Sequence, residues 1–207
     1  MKKQLNISNW NRKEHYYFFK DFEEPFFGVT VNVDCTKAYK LCKEQGYSFF
    51  LYYMHKSLVA VNRIDAFRYR IEDDMVYIYD VIHGTTTVLK PDNTFGFAYL
   101  EYEEEYRLFE KNARDKIEIT KKRREIGSGI NGEEVIHYST LPWLHFTSVT
   151  HARMFSGKNS CPKITFGKMI ELRNQKVMPV SIVAHHALMD GVCVGEYVEL
   201  FQELLNV

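Results

Sequence analysis

One stretch near the C-terminal end constrains the chain most: Val177-Met-Pro-Val-Ser-Ile-Val-Ala-His-His-Ala-Leu-Met-Asp-Gly191. Its apolar run, rich in Val and Ile, reads as a buried strand that delivers His185 and His186 to its end. Four residues past the second histidine comes Asp190-Gly191, and then Val194, Tyr197, Val198, Phe201, Leu204 and Leu205 recur at the spacing of one helix face. Asp190 is a natural N-cap, and Gly191 permits a sharp entry into the helix. Side chains alternate along a strand, so the two histidines face opposite ways and only one can serve a given pocket. Neutral imidazole is the usual side chain for taking a proton near pH 7. On this stretch alone, that role and a plain structural role for both histidines stand side by side.

The 207 residues suit one domain spanning 1–207, with ample length for a core. Aromatics make up 15% of the chain, which favours a sheet-containing fold with bulky packing. Lys plus Arg equals Asp plus Glu at 27 each, so no global field draws in nucleic acid or an anionic membrane. Any anionic ligand must be held locally. Cys35, Cys42, Cys161 and Cys193 form no CxxC pair, and the remaining histidines (15, 55, 83, 137, 145 and 151) show no HxxH or HExxH spacing. Reduced thiols and no metal site are expected. No cleavable leader or apolar stretch of membrane length is evident, which suggests a cytoplasmic protein.

In order, the chain predicts a helix capped by Ser8 or Asn9, bulky with Tyr16, Phe18, Phe19 and Phe22 and ended by Pro25. A strand over 27–33 follows, then a helix from Asp34 to Gly46. Ser48 caps another, with Phe50, Tyr53, Met54, Leu58 and Val61 at core spacing. A hairpin is expected over 67–79 about a turn at 72–74, and further strands over 85–89 and 94–102. The segment 103–124 reads as a charged surface helix with a thin stripe of Leu108, Phe109 and Ile117. The loop 127–132 lacks the lysine of a P-loop. Strands are expected over 135–139, 143–147, 164–172 and 177–184, with a polar loop over 154–162 and both Trp10 and Trp143 in the core. The order predicts an α+β fold, a mixed β-sheet packed with helices.

His185-His186-Ala187-Leu188-Met189-Asp190-Gly191 resembles the HHxxxDG signature of the chloramphenicol acetyltransferases and the wider CoA-dependent acyltransferases, including the dihydrolipoamide acyltransferase cores. Asn9-Trp10-Asn11-Arg12-Lys13-Glu14-His15 resembles that family's N-terminal motif. Phe67-Arg68 and Thr94-Phe95 fall where it has similar pairs. Ser139-Thr140-Leu141-Pro142-Trp143 is similar to its Ser-x-x-Pro-Trp segment, and Ile164-Thr165-Phe166-Gly167-Lys168 to its Thr-Met-x-Lys strand. The segments keep the family's order from Asn9 to Leu205.

The resemblance implies a two-layer sandwich and transfer of acetyl from acetyl-CoA to an alcohol, with the primary hydroxyl of chloramphenicol foremost. It implies His186 as general base and Ser139 as hydroxyl donor to the oxyanion, with no metal. Asp190 and Arg12 match a buried ion pair that supports the base. Phe19 falls within the family's range for an acceptor-contacting aromatic. Thr165 matches a position that holds the intermediate through water, and Lys168 is a contact for the nucleotide end of coenzyme A. The family also implies a homotrimer with each site between subunits, the base coming from one chain and much of the acceptor pocket from its neighbour.

The acceptor side departs from the pattern. After Ser148 the family usually continues with Phe and an Asp-Leu-Asn type run, whereas this chain reads Val149-Thr150-His151-Ala152-Arg153. Val192-Cys193 stand where Phe-His is common, and Ile126 where an aromatic is. The chemistry is thus expected with chloramphenicol or with a different hydroxylated small molecule; a non-catalytic drug- or CoA-binding protein is the reading from another class.

Overall fold

Two sheets and six helices organise the described residues, which are 1–127, 132–153 and 159–207 of a computed structural model. β1 (Lys2–Gln4) leads through a 3-10 turn at Ile7–Asn9 to α1 (Lys13–Phe19) and β2 (Phe26–Asp34). Three helices follow, α2 (Thr36–Gln45), α3 (Phe49–Arg63) and the single turn α4 (Asp65–Arg68). Next come β3 (Tyr69–Glu72), β4 (Met75–Tyr79), β5 (His83–Leu89) and β6 (Phe95–Leu100), and then α5 (Tyr106–Lys122). The chain closes with β7 (Val135–Leu141), β8 (Lys163–Gly167), β9 (Ile170–Leu172), β10 (Gln175–His185) and α6 (Gly191–Leu205).

The large sheet runs β2-β10-β8-β7-β5-β6, with β9 also on β10, and the small one β1-β4-β3. β7 lies parallel to both β5 and β8, and the other pairings are antiparallel. This is the mixed α+β sheet expected.

Strand alternation gives the large sheet two unlike faces. Tyr138, Ile164, Phe166, Val180 and Ile182 are buried against Met54 and Leu58 of α3 and Tyr197 and Phe201 of α6. A fully buried side chain of this size contributes roughly 1.5–3 kcal/mol. Two tyrosine hydroxyls that enter this layer are paired through one serine: Ser57 Oγ lies 2.8 Å from Tyr138 Oη and 2.6 Å from Tyr197 Oη. The opposite face carries polar rows. His137 stands beside Lys163, and Ser139 beside Thr165, which in turn stands beside Ser181.

Several expectations are corrected. Asn6, not Ser8 or Asn9, caps the first turn, and the helix proper starts only at Lys13. The chain breaks there because Trp10 packs edge-on to Tyr69 at 5.3 Å while Arg12 turns toward Asp190. Phe67-Arg68 forms the end of α4 rather than a strand. Residues 143–147 form no strand, and Trp143 is 63% exposed rather than core. The 164–172 segment divides into β8 and β9. On α5 the buried face is Tyr106, Phe109, Ala113 and Thr120, and Leu108 is exposed. Asp34 serves α2 from one residue further back, accepting from Thr36 N at 2.8 Å. Gly191 adopts no left-handed conformation, so its backbone does not require glycine. All four cysteines are free. Of the expected loops over 127–132 and 154–162, residues 128–131 and 154–158 lie outside the described residues.

Candidate active site

β10 carries both histidines to the same corner by different faces. His185, the last residue of β10, pairs across to Phe26 and lies edge-on to its ring at 5.1 Å. Its Nδ1 accepts from Ala187 N at 3.3 Å. Burial, followed by the neighbouring His186 and Arg153, pushes its pKa down to about 4, so it is neutral at pH 7.

His186 continues the β2 ladder by donating its backbone N–H to Pro25 O at 2.8 Å, and its ring goes the other way. That ring stacks on Phe19 at 4.1 Å with planes 9° apart, and lies 4.6 Å from Phe27. Nδ1 sits 3.2 Å from Met189 O. A carbonyl oxygen only accepts, so Nδ1 carries the proton and the Nε2 lone pair is the basic one. The ring is half-buried.

The turn after His186 is held by Asp190. Its carboxylate caps α6, accepting from Val192 N at 3.0 Å and Cys193 N at 3.4 Å, and receives Arg12 Nη1 at 2.6 Å. The Arg12 hydrogen bond foremost holds the Asp190 carboxyl below the usual range. The pair is only part-buried, with side-chain exposures of 14% and 29%, rather than buried as expected. Its rupture therefore costs less than the roughly 3–5 kcal/mol of a fully buried pair.

Ser139 stands apart from this group. It lines a cavity of about 830 Å³ together with Phe22, Phe26, His137, His151, Lys163 and His185 among others. His186 is not among the lining residues, and neither is Phe19. The register explains the separation: Ser139, Thr165 and Ser181 share the polar face with His185, whereas Phe27, against which His186 packs, lies opposite Ala184 on the helix-covered face. One chain thus brings Arg12, Phe19, His186 and Asp190 together and leaves Ser139 elsewhere.

Thr165 is fully buried, and its Oγ1 lies 3.0 Å from His151 Nε2. The hydroxyl expected to act through water already has a protein partner. Lys168 is exposed and lines no part of the Ser139 cavity; its backbone N–H donates to Leu144 O and its carbonyl meets His145 Nδ1. His137, His151, Arg153 and Lys163 were assigned no part by the sequence reading. The signal was present in Val149–Arg153, the segment that departs from the family, since His151 and Arg153 fall on the cavity wall. Among the described residues no group of three or more His, Cys, Asp or Glu could hold a metal. No helix among them is long and apolar enough to cross a membrane.

The family model for chloramphenicol acetyltransferase matches residues 2–202. The chain belongs to the chloramphenicol acetyltransferase family. Chloramphenicol acetyltransferase 3 of Escherichia coli is 27% identical over 205 residues, covering 98% of this chain and 96% of that one. A chloramphenicol acetyltransferase of Bacillus pumilus is 28% identical, covering 100% and 94%. A solved chloramphenicol acetyltransferase structure superposes with a TM-score of 0.90 at 31% identity, over 99% of this chain and 100% of that one. The fold is therefore that of the CoA-dependent acyltransferases, and this acyltransferase family is matched along nearly the whole length.

Proposed function

We propose that the chain is an acetyl-CoA-dependent O-acetyltransferase acting on the primary hydroxyl of chloramphenicol, as a single domain, in the cytoplasm and without a metal. The observation that carries the reading is the Nδ1 contact of His186 to Met189 O, which leaves the Nε2 lone pair as the acceptor. An alcohol is a poor nucleophile at its own pKa, so a base must take its proton as it attacks the thioester. Nε2 removes that proton, the alcohol oxygen bonds to the acetyl carbonyl carbon, and the resulting oxyanion accepts a hydrogen bond from Ser139. Collapse breaks the carbon–sulfur bond, and the imidazolium returns the proton to the departing CoA thiolate.

Since Ser139 and His186 of one chain occupy opposite faces of the sheet, this mechanism needs His186 from a second chain at the Ser139 cavity. A homotrimer supplies it with equivalent contacts at each interface. Arg12 and Asp190 position the turn that carries the base, and Phe19 its ring. Thr165 supports the acceptor side through His151. Lys168, exposed, supplies local charge to the nucleotide end of coenzyme A.

Thiol release from acetyl-CoA in the presence of chloramphenicol tests the reading. Release with the drug supports it. Release only with another alcohol moves the acceptor, and binding without release sinks catalysis altogether.

A further inference from the structure

Residues 151–153, part of the segment that departs from the family pattern, are fastened at every position. His151 Nε2 lies 3.0 Å from Thr165 Oγ1, Ala152 O accepts from Lys163 Nζ at 3.2 Å, and Arg153 pairs with Glu24 while its guanidinium lies 4.3 Å over the Phe26 ring. They reach from β8 to the start of β2, the two strands that flank β10. All three line the Ser139 cavity, whereas Thr165 does not. His151 is therefore the group through which the fully buried Thr165 hydroxyl meets the cavity.

The cations of the wall are met by carboxylates. Lys20 pairs with Asp21, Arg153 with Glu24, and Glu24 also acts on Lys163. Selection of a ligand thus falls to neutral polar groups. Burial foremost, and then Lys163 and Arg153, lowers the His151 pKa, so the ring is neutral at pH 7. A neutral ring has one N–H and one lone pair. With Nε2 engaged by Thr165, Nδ1 is left, and it has no hydrogen-bond partner among the described residues. The Thr165 hydroxyl either donates to Nε2 or accepts from it, so Nδ1 donates in one tautomer and accepts in the other. A ligand hydroxyl does both and fits either.

His137 and His185 line the same cavity, but their anchors lie elsewhere, on Thr85 of β5 and on Ala187 N. His151 is anchored on the ladder partner of Ser139. Neighbouring strands lie about 4.8 Å apart, a spacing that suits two hydroxyls of one small molecule. We propose that His151 determines acceptor specificity by binding a second hydroxyl: the cavity takes diols, with one hydroxyl presented at Ser139 and the other held by His151 Nδ1. This rests on the acyl-transfer role of Ser139 given above. Chloramphenicol, a 1,3-diol, belongs to that class.

The test uses the purified full-length protein with acetyl-CoA and a series of 1-aryl-propane-1,3-diols, chloramphenicol among them, each beside its 1-deoxy partner. A site built to bond a hydroxyl rejects the analogue that lacks it. The expected result is a kcat/KM at least about tenfold higher for the diol than for its partner. The ratio should fall to near one in His151→Leu and return in part in His151→Gln, whose amide both donates and accepts. Thr165→Val, which releases the ring, should lower the ratio as well and serves in place of His151→Leu if that variant fails to fold. Equal rates for every pair in the wild type overturn the proposal. So does a ratio that survives the substitution while both partners slow alike, since His151 then only fastens its segment. Calorimetric binding of the same pairs keeps the test decisive if no thiol is released with any acceptor. A tenfold binding preference for the diol that His151→Leu abolishes upholds this inference and sinks the transferase reading; equal binding, or none, sinks this inference.

Discussion

The rings of Phe19 and His186 lie 4.1 Å apart and 9° from parallel, so the last residue of α1 fixes the plane of the imidazole that β10 delivers. Stacking sets the plane and the Met189 carbonyl sets the rotation, which aims Nε2. Phe19→Ala is expected to lower kcat by about ten- to a hundredfold through loss of orientation. Phe19→Tyr keeps the stack and should keep most of the rate. Steady-state kinetics decide it: a rise in KM with kcat intact would show that Phe19 only contacts the acceptor.

His186→Ala should reduce turnover to background while leaving the melting temperature near that of the wild type, since the ring is half-buried and its partners are local. Ser139→Ala removes an oxyanion donor and should cost about a hundredfold or more in kcat. Retained activity in the histidine variant ends the base assignment.

Because Ser139 and His186 of one chain are on different faces, the two inactive variants should complement each other. Refolding His186→Ala with Ser139→Ala in equal amounts places an intact histidine against an intact serine at about a quarter of random cyclic interfaces. Activity rising toward that fraction supports shared sites. A mixture as inactive as its parents would put the whole site within one chain.

Asp190 has two duties, pairing with Arg12 and capping α6, and substitutions can separate them. Asp190→Asn keeps a capping oxygen and loses the charge; Asp190→Ala loses both, with a further cost of about 1 kcal/mol. Arg12→Ala should cost about 1–3 kcal/mol, between exposed and buried ion pairs. Chemical denaturation ranks the three, and equal stability of the Asn and Ala variants would deny the capping role.

Burial pushes His137 and His185 down to about 4 from an ordinary 6.5, so the unfolded chain binds more protons than the folded one between those values. Their contribution is complete above pH 6.5 and is lost as the pH falls toward 4, at about 2 kcal/mol each between pH 7 and 5 as an upper estimate. Urea midpoints should fall over that interval, and His137→Gln with His185→Gln should flatten the dependence. A midpoint unchanged from pH 7 to 5 in the wild type contradicts the burial of these rings.

The parts of the fold most legible in the residues were those where one local rule acts alone. Alternation of Val29, Val31 and Val33 marked β2, a continuous Val- and Ile-rich run marked β10, and Asp190 marked the start of α6 because a short acceptor side chain before an apolar helical pattern has few other uses. Legibility failed where distant contacts overrode local preference. Arg12 reads as a helix-surface residue until its guanidinium is seen on Asp190, and Trp143 reads as core although its segment forms no strand. β1 carries three exposed residues and no apolar pattern; only its pairing with β4 makes it a strand.

By itself the sequence determined the sheet-and-helix class, the family's motif order and the fact that His185 and His186 face apart, since these follow from periodicity and from side chains on adjacent positions. Only the tertiary structure decided which histidine joins which wall. Strand order and register put Ser139, Thr165 and Lys163 on one face and sent His186 to Phe19 and Phe27, and such pairings between residues far apart in the chain are set by packing of the whole sheet.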